Sequence, residues 1–417
     1  MINGIYECIS QAKLKKYAEL AVRAGVNLQK NQLLIIHSDI QNAAFARLIQ
    51  TAAYEAGASN VFIDWTDEQS TKEFYLNAAD SVIDHFPDWK AARFKEWDDA
   101  GAVYIHILSE NLDVFKDVST ERINRFLKAS RTKLRDYYAK IRSHEIRWCL
   151  LAVPYVEWAA KVFPNLSKEE ALQSLWKLIL KGSRADGKDP IKDWESHNRA
   201  FESRKKILNE SQFEALHFTN SRGTELSVGL PEKHLYIGGG VIDKEGIPFF
   251  PNIPTEEIFT APHKNRVNGK LVGTKPLIYG GSVIDEFYLI FKDGRITDHY
   301  AAKGQEVLQN LIGTDEGSRY LGEIALVSNK SPLAQADTLF YNTLFDENTS
   351  CHIGIGNASP SNIQNGIVQS EEELKAAGLN TSLLSVNVTF GNEDMKVVGI
   401  KKGGTEVLLM EDGDFQF

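Results

Sequence analysis

Three segments of this 417-residue chain carry side chains whose types and spacing could do chemistry. NIPTEEIFTAP, residues 252–262, sets two adjacent carboxylates, Glu256 and Glu257, just after a proline-containing turn. RYLGEIALV, residues 319–327, places Glu323 ahead of an apolar, strand-like run, and FYNTLFDENTSCHIGIG, residues 340–356, places His352 before a glycine-spaced strand. A carboxylate at the mouth of an apolar run is costly to bury unless it is paired, protonated or bound to a cation. One histidine with two carboxylates is a ligand set that suits Zn²⁺, Mn²⁺ or Co²⁺. Each residue also has a plainer reading. Glu256 and Glu257 could open a helix after Thr255 and complement its dipole. Glu323 could be an exposed charge at a strand end, and His352 a core histidine satisfied by a backbone carbonyl. The residues alone leave these alternatives open.

Simpler catalytic signatures are missing. His144-Glu145 is followed by Ile146, Arg147 and Trp148, so there is no HExxH; no GxSxG elbow occurs, and Gly354-Ile355-Gly356-Asn357-Ala358-Ser359 is an incomplete dinucleotide fingerprint. Cys8, Cys149 and Cys351 are odd in number, widely scattered and not beside an obvious base, which argues against a disulfide framework and a CxxC zinc site and fits a reducing compartment. Lys and Arg total 47 against 56 Asp and Glu, a formal charge of −9, which argues against binding to phosphate backbones. The opening MINGIYECISQAKLKKYAELA carries Glu7, Lys13, Lys15 and Lys16 and lacks the apolar centre of a signal peptide. The longest apolar stretch, Trp148 to Tyr155, is broken by Pro154 and is far shorter than the ~20 residues a membrane span needs. A soluble, cytoplasmic protein with no nucleic-acid or membrane partner is expected.

The elements that must position these residues fall into two textures. Up to residue 210 the chain alternates helix and strand. Leu14, Tyr17, Ala18, Ala21 and Ala24 keep helical spacing and Gly25 follows as a stop. Leu33 to Ile36, Val61 to Ile63, Ala102 to Leu108 and Trp148 to Val153 read as buried strands, with helices over 43–56, 120–142, 168–181 and 190–208. This alternation predicts an α/β domain over 1–210 with a mostly parallel sheet. No glycine-rich phosphate loop follows its first strand. From 211 to 417 the composition turns β-rich with few helices, among them 371–377; Lys402-Gly403-Gly404 between two apolar runs marks a hairpin.

Taken together, the three segments resemble the aminopeptidase T / aminopeptidase S / PepS family of metallo-aminopeptidases. The resemblance covers nearly the whole chain: KYAELAVRAGVN near the start, TKPLIYGGSVID at 274–285, FKDGRI at 291–296 and VVGIKKGGTEVLL at 397–409 also fit. It implies an α/β N-terminal domain and a β-rich, α+β C-terminal domain carrying the metal site, a homodimer, and release of N-terminal amino acids from short peptides with two divalent metals. By the same resemblance Glu257, Glu323 and His352 are metal ligands, Glu257 and Glu323 are counted among the catalytic groups, and Glu256 is at most a base beyond the ligands.

The chain departs from the family pattern at three positions. Ser359 stands where the family's HxxxGxxY has Tyr, and in the segment aligned with HVDFMIGS, Ser385 replaces the His and Asn387 the Asp. Serine is a feeble ligand for a divalent cation, and neutral asparagine supplies no charge. The expected centre therefore holds one divalent ion (Zn, Co or Mn) rather than two, or a remodelled pair in which Glu393 or Asp394 replaces a lost ligand. Two functions follow: an impaired or mononuclear metallo-aminopeptidase, or a catalytically inactive homologue that binds a peptide or partner.

Overall fold

The computed structural model describes residues 6, 8–109, 114–279 and 282–417. Residues 1–5 and Glu7 of the opening stretch, and Gly280-Gly281 within 274–285, lie outside the described residues. The chain forms two compact units: residues 1–196 with 240–254, and residues 197–239 with 255–417. The segment 240–254 thus returns to the first unit, a connection that a single cut at residue 210 does not contain.

The first unit is built on a five-stranded sheet. Its strands, in spatial order, are Asn60–Thr66, Leu33–Asp39, Val103–Leu108, Trp148–Ala152 and Asn252–Ile253, every neighbouring pair parallel. Leu34, Ile35 and Ile36 are fully buried in succession, which a strand covered on both faces requires. Helices Gln11–Leu20, Ala43–Glu55 and Lys168–Gly182 connect or flank the strands much as their periodicity predicts. Lys168–Gly182 begins with a reciprocal capping box, Ser167 with Glu170, worth about 1 kcal/mol. The expected 120–142 helix is two helices, Thr120–Lys133 and Arg135–Arg142, interrupted at Leu134, which turns its side chain into buried surroundings.

The second unit contains a nine-stranded antiparallel sheet and a four-stranded antiparallel sheet. The hairpin expected at Lys402-Gly403-Gly404 joins Lys396–Ile400 to Glu406–Glu411, and both glycines take the left-handed conformation the turn demands (φ 96° and 85°). The four-stranded sheet runs Glu257–Thr260, Leu321–Val327, His352–Gly356, Ser385–Thr389. Its alternation sorts residues onto two faces. Ile258, Ile324, Leu326, Ile353, Ile355 and Val388 point into the unit's main apolar core. Each such buried aliphatic side chain contributes about 1.5–3 kcal/mol relative to exposure. The opposite face carries Glu257, Glu323, His352, Gly354, Ser385 and Asn387.

Candidate metal centre

The register of the four strands brings the sequence-distant carboxylates and histidine together. Glu257 opens its strand opposite Val327; Ala325, two residues back on the same face, lies opposite His352, and Glu323, two further, lies opposite Gly354, which in turn pairs with Asn387. A side chain at 354 would fill this row: a Cβ there would stand 2.8 Å from Glu323 Cβ and 3.3 Å from Asn387 Oδ1. Glycine at this position therefore keeps the face open between them.

The adjacent Glu256 and Glu257 do not begin a helix. Ile258, Phe259 and Thr260 are β-branched or aromatic, and the segment enters the sheet at Glu257. Glu256 is buried; its backbone N–H donates to Asn348 Oδ1 at 2.5 Å, and its carboxylate lies 3.8 Å from His197 Nε2. Glu323 is not a strand-end charge but the third residue of a seven-residue strand, half-buried. His352 is fully buried and meets a backbone carbonyl, as a core histidine would: Nδ1 lies 3.2 Å from Ser350 O. The ring's other nitrogen does something different. Nε2 lies 3.1 Å from Glu257 Oε2 and 3.4 Å from Glu323 Oε1.

These three residues offer ligand atoms that all lie within 4.8 Å of one another, the one such group of three or more found among the described residues. Ligand atoms bound ~2.1 Å from a common Zn²⁺-like ion are about 3.0–3.5 Å apart, close to the spacings seen here. His352 Nε2 and Glu257 Oε2 are both buried, and despite their proximity they form no aligned hydrogen bond among the described residues. Buried polar atoms facing one point without hydrogen-bond alignment are poised for a cation. The Ser350 carbonyl fixes the ring as the Nδ1–H tautomer, which leaves Nε2 as the donor to a metal.

A further residue joins the cluster that the sequence argument overlooked. Glu347, in the short turn Glu347–Thr349, is electrostatically coupled to Glu257, His352 and Glu323, and its Oε2 accepts Asn387 Nδ2 at 3.2 Å. A signal existed: Glu347 lies five residues before His352, inside the DEN of the segment already singled out. Burial, together with the Glu257 carboxylate, holds the Glu347 carboxyl well above the ordinary range. Burial likewise raises Glu257, against the pull of His352. Burial alone would lower His352, but the carboxylates of Glu257 and Glu323 outweigh it and hold the imidazole protonated well above its usual range. The Glu257 and Glu347 carboxyls beside this imidazole hold their protons above the ordinary range, where a dication would otherwise balance the charge.

The substituted positions are placed unevenly. Asn387 is on the cluster face and touches Glu347. Ser385 lies on the same face at the strand's start, opposite Gly356, and is exposed. Ser359 caps the short turn Pro360–Asn362, its Oγ accepting Ser361 N–H at 3.4 Å. Neither serine belongs to the ligand group. Asp394 is engaged elsewhere, accepting Ser221 N–H at 3.2–3.3 Å, and Glu393 is exposed.

Comparison with known proteins identifies the family. The family model described as thermophilic metalloprotease (M29) matches residues 10–415. Aminopeptidase AmpS of Bacillus subtilis (strain 168) is 41% identical over 405 residues, 97% of this chain and 98% of that protein. Aminopeptidase T of Thermus thermophilus is 37% identical over 404 residues, 96% of this chain and 97% of that protein. The solved structure of wild-type AmpT from Thermus thermophilus matches with a TM-score of 0.89 and 36% identity, covering 97% of this chain and 99% of that one. The α/β architecture is shared along essentially the full length, and the chain belongs to the thermophilic metalloprotease (M29) family.

Proposed function

We propose that this protein is a metal-dependent aminopeptidase that removes N-terminal residues from short peptides through a mononuclear or remodelled centre. The observation that carries the reading is the convergence of Glu257, Glu323 and His352 on one point, with ligand atoms within 4.8 Å of each other. These residues, with Glu347 beside them, would hold the ion. A divalent cation held there would supply Lewis acidity to a bound water and to the scissile carbonyl. Ser350 O keeps His352 in the ligating tautomer, and Asn387 Nδ2 orients the Glu347 carboxylate. Glu256, buried next to the ligands in sequence, is a candidate proton acceptor that lies beyond them. Zn²⁺, Co²⁺ and Mn²⁺ all suit the donor set. A homodimeric, cytoplasmic protein is part of the same reading; among the described residues no helix is long and apolar enough to cross a membrane.

Asn387 and Ser385 favour a second reading, a homologue that binds peptides without cleaving them. By the family resemblance, each replaces a residue that would carry a second ion.

Metal stoichiometry separates the two. Protein stripped with chelator, reloaded with Zn²⁺ or Co²⁺ and dialysed is expected to retain one ion per chain. That ion should disappear in Glu323→Gln, and hydrolysis of di- and tripeptides should disappear with it. Absence of tightly bound metal, or metal without turnover, would leave the binding reading in front; two tight ions would refute the lost half-site.

A further inference from the structure

We propose that a second, smaller site in the 197–239/255–417 unit binds a free α-amino acid as a zwitterion. A cavity of about 130 Å³ opens beside the segment that carries Glu347 and His352, with Thr349 and Ser350 in its wall. At ~30 Å³ per liquid water it holds the equivalent of about four waters, a volume suited to a small amino acid and too small for a folded segment or a nucleotide.

Two residues of opposite polar character line this space. Lys275 is half-buried, and its ammonium makes no hydrogen bond among the described residues. Asn392 Oδ1 is buried with no donor among the described residues, although its Nδ2 is held by Asp394. A half-buried ammonium without a protein acceptor is left to water or a ligand, and a buried acceptor without a donor costs an amount comparable to a lost hydrogen bond. One small molecule bearing both a carboxylate and an ammonium pairs with Lys275 and with the acidic side of the cavity rim. The exposed rim repeats the pattern, with Arg222 of one sign and Asp337 and Glu393 of the other. A simple anion would meet those two rim carboxylates, and a simple amine would meet Lys275 and Arg222. The mixed charge thus selects a zwitterion over either half. The partly desolvated Lys275 is the natural partner for the ligand carboxylate, since burial already weakens its hold on its proton despite Asp346 and Asp337 nearby. The ammonium then falls to the rim carboxylates of Asp337 and Glu393.

Ser350 gives this site a bearing on the metal centre: its chain segment lines the cavity, while its carbonyl faces His352 Nδ1. If the proposed peptidase activity holds, the ligand is the class of molecule the reaction releases, and this identification of its source rests on that reading. Binding itself does not.

The test is equilibrium binding of L-alanine to the full-length protein by calorimetry, with acetate and ethylamine as half-molecule controls. L-alanine is expected to bind and each control to bind about tenfold or more weakly. Lys275→Met should weaken alanine by about tenfold or more, and Arg222→Ala at the exposed rim by a smaller factor with folding intact. Glu323→Gln, which removes a candidate metal ligand, should leave alanine binding unchanged, so failure of the peptidase reading and failure of this one are told apart. Alanine affinity no better than that of acetate or ethylamine, unaltered in folded Lys275→Met and Arg222→Ala, or lost in Glu323→Gln, would overturn the proposal.

Discussion

Asn387 donates its amide Nδ2 to Glu347 Oε2 at 3.2 Å, bridging the last strand of the site sheet to the half-buried Glu347 of the preceding turn. An aspartate at 387 would accept rather than donate and would set a further carboxylate against a cluster that already retains protons. Asn387→Asp is expected to lower the stability of the metal-free protein by about 1–3 kcal/mol. Ser385→His/Asn387→Asp is expected to bind one more ion per chain than the parent. Unchanged melting of the stripped single variant and an unchanged metal count in the double would show that these positions do not address the centre.

Protons and metal compete for the same atoms. His352 and Glu347 both hold their protons above the ordinary ranges in the metal-free protein, so their contribution to its stability is full at low pH and falls as pH rises through those raised values. Metal binding must release these protons, about two per ion, and affinity should climb with pH. The gap in Tm between loaded and stripped protein is therefore expected to widen from about pH 6 to about pH 8.5. Calorimetry in buffers of different ionisation enthalpy counts the released protons; a count of zero contradicts the assignment.

Gly354 is the spacer of the ligand row, with 2.8 Å from its would-be Cβ to Glu323 Cβ. Gly354→Ala should push Glu323 away, costing about 1–3 kcal/mol of stability and a larger share of metal affinity. Parallel melting curves and metal titrations test this. An alanine variant with parent-like affinity would show that Glu323 is free to shift without leaving the cluster.

Much of this was legible in the sequence, for physical reasons that also mark where it stopped. Leu34 to Ile36 is a continuous apolar run and Val103 to Ile107 is broken only by His106, and such runs have few places to go except a covered parallel strand. The ligand row was harder, because 66 and 29 residues of chain separate its members; only strand register makes them neighbours. Glu256-Glu257 after Thr255 looks like a helix start locally, and the β-branched residues that follow decide otherwise through pairing with Leu321–Val327. Glu347 escaped notice because Asp-Glu-Asn reads as a polar turn, and nothing local shows that the turn is buried against other carboxyls. The small cavity joins residues near 222, 275, 337, 350 and 392, a set without any sequence pattern.

The cysteines offer a check on the fold that is independent of the site. Cys149 and Cys351 are buried, and burial pushes both thiols up, Cys351 to about 11. Cys8 is half-buried. Native protein should react with a thiol reagent at one cysteine per chain, and at all three after denaturation. Rapid labelling of Cys149 in the native state would contradict the sheet packing around Trp148–Ala152.

The strand Ser385–Thr389 shows how such a protein can change its chemistry without changing its shape. Val388 belongs to the apolar core, whereas Ser385 and Asn387 face the other way. Selection for folding acts on one set of alternate positions and selection for metal chemistry on the other, so the two can drift almost independently. A lineage can shed a ligand, explore a one-ion or non-cleaving existence, and regain the ligand by single substitutions, since the scaffold that aims those positions is maintained by residues the chemistry never uses.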